Sequence, residues 1–305
     1  MRAFELMLMT AASRSCIVAP TGSSATYTPT CSSSPAAHPD ISTYCVDDVV
    51  AFIDTDSYES VHEAVSDASS GDKIYICPGE HDAALKLSKT NLTLAAASGT
   101  ADDTTLTGDG TAQIISGSRV QLTVYNLSFS EGYAVNGGAV GLSLSTVSMS
   151  CVDFTDSEAS SDGGAVWFDQ GTLTLDTATF TDNIAGGDGG GLRVIGGYPS
   201  TVEISDSTFT GNTADSGGAM ALGEEALGDR FYIVDTDMEG NTADVEGGAI
   251  LLSTTGWATL TIDGAAISDN EAADGGGLAV VGNASEYDIW IEQTELDGNI
   301  ADAGA

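Results

Sequence analysis

Positive charge is nearly missing from this chain: 8 lysines and arginines stand against 45 aspartates and glutamates, a formal net charge of −37 over 305 residues. Such a surface repels nucleic acid, anionic lipid headgroups and polyuronate chains, all of the same sign, so no nucleic-acid partner is expected. It suits a salty medium, where screening over roughly 10 Å or less weakens the self-repulsion. Histidine is also scarce. His38, His62 and His81 all precede residue 120, which leaves the rest of the chain without an imidazole. No stretch reaches the ~18–20 apolar residues that a membrane-spanning helix needs. The five cysteines (Cys16, Cys31, Cys45, Cys77, Cys151) form no CxxC or Cys/His cluster, which argues against a zinc site. Setting Cys16 aside with a leader, Cys31, Cys45, Cys77 and Cys151 allow three pairings that sequence alone does not choose between. Secretion with one or two disulfides near the N-terminus is the expectation. GxSxG, P-loop and Ser/His/Asp arrangements are missing too.

What the chain does have is a repeat. Asn183, Asn212, Asn241, Asn270 and Asn299 recur every 29 residues. Three residues before each sits a bulky apolar residue: Phe180, Phe209, Met238, Ile267 and Leu296. Five earlier come Leu175, Ile204, Ile233, Ile262 and Ile291, and two before those Leu173, Val202, Phe231, Leu260 and Ile289. A fixed period of this size marks a repeat architecture that grows along one axis. Residues two apart point to one side of a strand, so these columns fill an interior. The intervening positions, Thr174, Glu203, Tyr232, Thr261 and Trp290, face outward. Coils stacked about 4.8 Å apart place each asparagine on the next, as a ladder of paired amides. The apolar columns extend upstream through Phe154 and Phe129 at shorter intervals. Seven or so coils make a rod roughly 30–35 Å long.

Residues 1–20 read as an export leader: Arg2 precedes a mostly apolar stretch interrupted by Glu5, and small residues follow. Residues 21–45, rich in Ser, Thr, Pro and Ala, read as a flexible linker. Residues 46–118 hold an N-terminal cap and the first coils. Here Asp56 and Glu59 have capping-box spacing, and Val61, Ala64, Val65 and Ala68 mark one face of a short helix that stops by Gly71. Strands are expected at 73–77 and 85–94. Residues 119–305 are the repeats proper. The final ADAGA aligns with 214–219 and stops where another strand is due, so a C-terminally truncated chain is expected.

The short amphipathic helix followed by GDKIYICPGEH resembles the opening segment of right-handed parallel β-helix proteins of the pectin-lyase-like type. In that family the helix covers the open end of the first coil. A second signature, GGAV at 137–140 and 163–166, GGGL at 189–192, GGAM at 217–220, GGAI at 247–250 and GGGL at 275–278, accompanies FTDN, FTGN, MEGN, ISDN and LDGN. Together they resemble the repeats of chlamydial polymorphic outer membrane proteins over roughly residues 120–305. The resemblance implies an all-β fold, a right-handed parallel β-helix solenoid with a short N-terminal capping helix. It also implies secretion or display at the outer membrane or cell surface.

No catalytic residues stand out. Beyond residue 120 the only basic residues are Arg193 and Arg230. Asp156 and Asp182 share a column, and Asp235 and Asp237 lie near the level of Asp206, but each sits beside Gly, Ser or Thr, where Asp serves turns. Acidic turns can hold calcium loosely, yet the GGxGxDxUx nonapeptide is absent and no cofactor is expected. Tyr232, Trp290 and Trp167 are outward aromatics suited to stacking on sugar rings. The reading is a non-enzymatic stalk or adhesin-like passenger contacting a polysaccharide or a cell-surface partner. The alternative is a polysaccharide-active lyase or hydrolase of the same fold, because fold alone does not fix function.

Overall fold

The computed structural model describes residues 17–18, 37–46, 49–88, 91–197, 199–224, 228–282 and 287–302. The expected leader, apart from Ile17–Val18, lies outside these residues, as does Cys31. The chain is all-β, 56% strand and 6% helical, and winds into a parallel β-solenoid of about 8 turns with a small helix near its N-terminus.

Each full coil lays down strands on three long faces and one short one. On the first face Ile115–Ser118, the start of Val140–Thr155, the start of Val166–Thr181, Leu192–Ile195, Met220–Leu222, Ile250–Ser253 and Leu278–Val281 pair in parallel. The second face runs through Leu173↔Val202↔Phe231↔Leu260↔Ile289 and Leu175↔Ile204↔Ile233↔Ile262↔Ile291. On the third, Phe129↔Phe154↔Phe180↔Phe209↔Met238↔Ile267↔Leu296 form one interior column. The expected interior columns therefore stand in register without a slip. Adjacent phenylalanine rings of the third face stack with centroids 5.0, 4.7 and 4.4 Å apart, a spacing that the coil rise imposes and that suits aromatic stacking.

The short fourth face holds the asparagine corner. Asn183, Asn212, Asn241 and Asn270 are fully buried. Each Nδ2 donates to Oδ1 of the next asparagine at 2.9 Å. Each backbone N–H also donates to that same oxygen, at 2.9–3.1 Å. A third bond runs from Nδ2 back into the interior, to the carbonyls of Phe154, Phe180, Phe209 and Met238. The ladder is thus more than amide on amide: every asparagine ties its own coil to both neighbours. Ser157 takes the same corner one coil earlier, donating its N–H to Asn183 Oδ1 at 3.1 Å.

The two glycines that follow do different jobs. Gly217 adopts φ +66°, open chiefly to a residue without a Cβ. Gly218 has ordinary φ, but a Cβ there would run into the carbonyl oxygen of Gly248 in the next coil. Close coil stacking, rather than the turn, requires the second glycine.

The N-terminal cap departs from expectation in three places. Asp56 is not a helix cap; Asp56–Tyr58 pairs antiparallel with Ala51–Ile53 in a hairpin, and Ala51–Phe52 pairs with Tyr75–Ile76 of the first coil. The helix, α2 (Val61–Asp67), is capped by Ser60, whose Oγ accepts from Glu63 N–H at 3.1 Å. Both frames offer an acceptor followed three residues later by Glu, and the hairpin claims the first. Its predicted apolar face, Val61, Ala64, Val65 and Ala68, is buried. Secondly, the stretch 85–94 divides into Leu85–Leu87 and Leu92–Ala96, which lie on different faces. Thirdly, residues 38–45, assigned above to the linker, are folded. A one-turn helix, α1 (Ile41–Tyr44), precedes Cys45, which is disulfide-bonded to Cys77 with Cα atoms 5.5 Å apart. His38, Tyr44, Phe52 and Tyr75 pack ring to ring beside that bond. Cys151 is disulfide-bonded as well, to a partner outside the described residues.

Asn241→Ala should leave the N–H and Nδ2 of Asn212 without their acceptor inside the rod. Loss of a buried pair of this kind costs roughly 2–4 kcal/mol, read as a lower urea midpoint. A loss under about 0.5 kcal/mol, the scale of an ordinary surface change, would show that the ladder does not hold the coils. Gly218→Ala should be at least as damaging, with circular dichroism reporting loss of strand.

Candidate binding surface

With the interior filled, chemistry has to be sought on the outward columns and corners. The structure sets Tyr232 and Trp290 in one column of the second face, through Thr174↔Glu203↔Tyr232↔Thr261↔Trp290. They are two coils apart, about 10 Å by the strand spacing. Tyr232 is half-buried between its neighbours and Trp290 is 46% exposed. Ile17–Val18 run parallel beside Trp290 and Ile291 on the open edge of the last strand of this face. Trp167 stands apart. It lies on the first face, in register with Arg193, half-buried, and its Nε1 is shielded without a hydrogen-bond partner. The three aromatics therefore form one pair and one separate residue. Trp257, 38% exposed, sits just before the second-face strand Ala258–Asp263.

Sequence reasoning missed the role of Arg193. It is outward-facing yet only 3% exposed, and its guanidinium donates to Glu224 Oε2 at 2.9 Å and to the carbonyl of Gly223 at 2.8 Å. Asp188 approaches it at 3.7 Å. Burial pushes the Asp188 carboxyl above the usual range, and Arg193 pulls it partly back. This is a corner clamp between coils. Beyond it the outward column turns apolar: Ala221, Leu251 and Ala279 are buried and form a small cluster of their own with Val281. The hint in sequence is the loss of alternation in GGAMAL and GGAILL, which reads as a strand buried on both sides.

The carboxylates behave as corner residues. Asp156, Asp182, Asp206 and Asp235 all have φ between +45° and +54°, a conformation that Asp tolerates better than most residues. Asp235 and Asp237 are raised, burial first and neighbouring carboxylates after it. Asp229, which carried no sequence signal, is fully buried. Its Oδ1 accepts from Ser200 N–H at 2.7 Å, whereas Oδ2 has no partner. It belongs to a second corner ladder, in which Ser200 Oγ in turn accepts from Gly171 N–H. Among the described residues no group of three or more His, Cys, Asp or Glu side chains is gathered closely enough to hold a metal ion.

Comparison with protein-family models, with curated proteins and with solved structures finds no match to this chain.

Burial raises the carboxyl of Asp229, so the folded chain holds that proton more tightly than the unfolded one. The contribution to stability is complete below the unfolded value, near 3.9, and is lost as pH rises through the folded value. Asp229→Asn keeps an acceptor for Ser200 and removes the charge. It should raise the unfolding temperature at pH 7 by roughly 1–2 °C, the shift that about 1 kcal/mol produces in a chain of this length, and flatten the fall in stability above pH 4. An unchanged or lower midpoint at pH 7 would show that the buried carboxylate is not a liability.

Proposed function

We propose that this chain is a secreted or cell-surface β-helix acting without catalysis, as a stalk or adhesin-like passenger that contacts glycans. The observation that carries the reading is the outward column of the second face, which lines up Tyr232 and Trp290 two coils apart on a rigid sheet. Rigid aromatic anchors lose little freedom on binding, and they stack well on flat, partly apolar partners. Three further points support it. The Cys45–Cys77 bond suits an oxidising compartment. The GGA-aliphatic and FxxN repeats resemble those of displayed bacterial passengers. Arg193, one of two basic residues beyond residue 120, is taken up by an ion pair rather than offered to a substrate.

A second reading, a polysaccharide-active enzyme of the pectin-lyase-like type, draws on the raised carboxyl of Asp188 beside Arg193. Perturbed carboxyls recur at active sites but also in structural ion pairs, and this one clamps two coils. Loose calcium binding by the acidic corners would, on the display reading, affect solubility alone.

Purified chain mixed with soluble neutral and acidic polysaccharides should bind without turnover. Trp290→Ala should weaken binding about tenfold, or 1.4 kcal/mol, and EDTA should leave it unchanged. Release of reducing ends or unsaturated products, abolished by Asp188→Asn with Glu224→Gln, would overturn the display reading.

A further inference from the structure

Resting on that reading, we propose that the second face binds a neutral, hydroxyl-rich polysaccharide laid lengthwise along the coil axis. The inference comes from where charge is missing. In a chain of net charge −37, two adjacent outward columns of this face run for three coils without a charged residue. One column holds Gln121, Thr146 and Thr172. The other holds Thr123, Ser148 and Thr174. All six are exposed or half-exposed. Among the described residues, none of their hydroxyls has a hydrogen-bond partner within the chain. The columns lie about 7 Å apart along the strand and repeat about every 4.8 Å along the axis, because strand geometry fixes both spacings. The second column continues through Glu203 to Tyr232, Thr261 and Trp290.

Each part of that surface selects for the same chemistry. A hydroxyl is both donor and acceptor, so a rigid field of them pairs with a ligand that presents hydroxyls in either sense. Over these three coils, exchanging water for such a ligand strips no charge of its hydration, the costly step that acidic surface would impose. Glu203 and Arg230 stand only further along, beside Tyr232. The surrounding carboxylates repel polyuronates and sulfated chains, which leaves neutral glycans. The two rings, spaced about 10 Å along the axis, supply stacking on the sugar faces. Because both the hydroxyls and the rings are aligned with the axis, an extended chain lying along the rod meets them all, whereas one crossing it meets a single coil.

The test uses the full chain with hydroxyethyl cellulose and a soluble mannan as neutral probes and polygalacturonate as the charged one. A triple variant, Thr146→Val, Ser148→Ala and Thr172→Val, removes hydroxyls while keeping shape and strand propensity. Circular dichroism checks that it folds, and Ile184→Ser on the fourth face is the control. Expected are binding to at least one neutral probe that salt does not weaken, a roughly tenfold loss in the triple variant and in Tyr232→Ala, and no loss in the control. Undiminished binding by the triple variant, preference for polygalacturonate, or no binding to either neutral probe would overturn the inference. So would slowed growth of ice crystals without glycan binding, since the hydroxyl lattice would then be recognising ordered water. Turnover of a probe would overturn the display reading instead, whichever variants bind.

Discussion

A buried amide left without partners costs a few kcal/mol, and the interior corner of this rod holds four of them in line. Each is satisfied only because another asparagine stands one coil further on, with its oxygen turned back. That requirement propagates. If Asn212 is to meet Asn241, the chain between them must return to the same corner after one circuit, with every interior side chain above its equivalent. The phenylalanine stack and the aliphatic columns of the second face are then in register without further instruction. The paired glycines obey the same demand, one by turning the chain and the other by letting the next coil's backbone close over it.

Fixing the inside leaves the outside free. Strand alternation places half of each strand's residues where packing does not constrain them, and those columns carry what distinguishes one coil from the next: hydroxyls low on the second face, aromatics higher up, an ion-pair clamp on the first. The strongly acidic surplus goes largely to corners and strand ends. On the second face two adjacent outward columns stay clear of it for three coils before Glu203.

How much of this could be read from the residues depends on whether they repeat. The Asn, Phe and Ile columns could be read directly, because a fixed interval leaves one way to stack them. The cap could not, because it occurs once: Asp56 and Ser60 both satisfy the spacing of a helix start, and only pairing with Ala51–Ile53, a tertiary contact, decides between them. Residues 38–45 look like linker by composition, yet His38 and Tyr44 find aromatic partners in Phe52 and Tyr75. Arg193 and Asp229 were opaque for the same reason. Their burial comes from neighbours about thirty residues away, and nothing in a local window marks it. The shared column of Tyr232 and Trp290 and the separate column of Trp167 could be read as well, because all three ride on the repeat.

One consequence follows from the constant 29-residue step. Since the ladder and the interior columns beside it recur at that interval from Leu173 to Asn299, and each block between asparagines carries its own glycine pair, removing one such block returns every surviving interior group to an equivalent neighbour. The rod can therefore be lengthened or shortened by whole coils, in increments of about 4.8 Å, by the kind of unequal exchange that repeated coding sequence invites. Reach becomes a quantity that varies in discrete units while the cross-section stays the same.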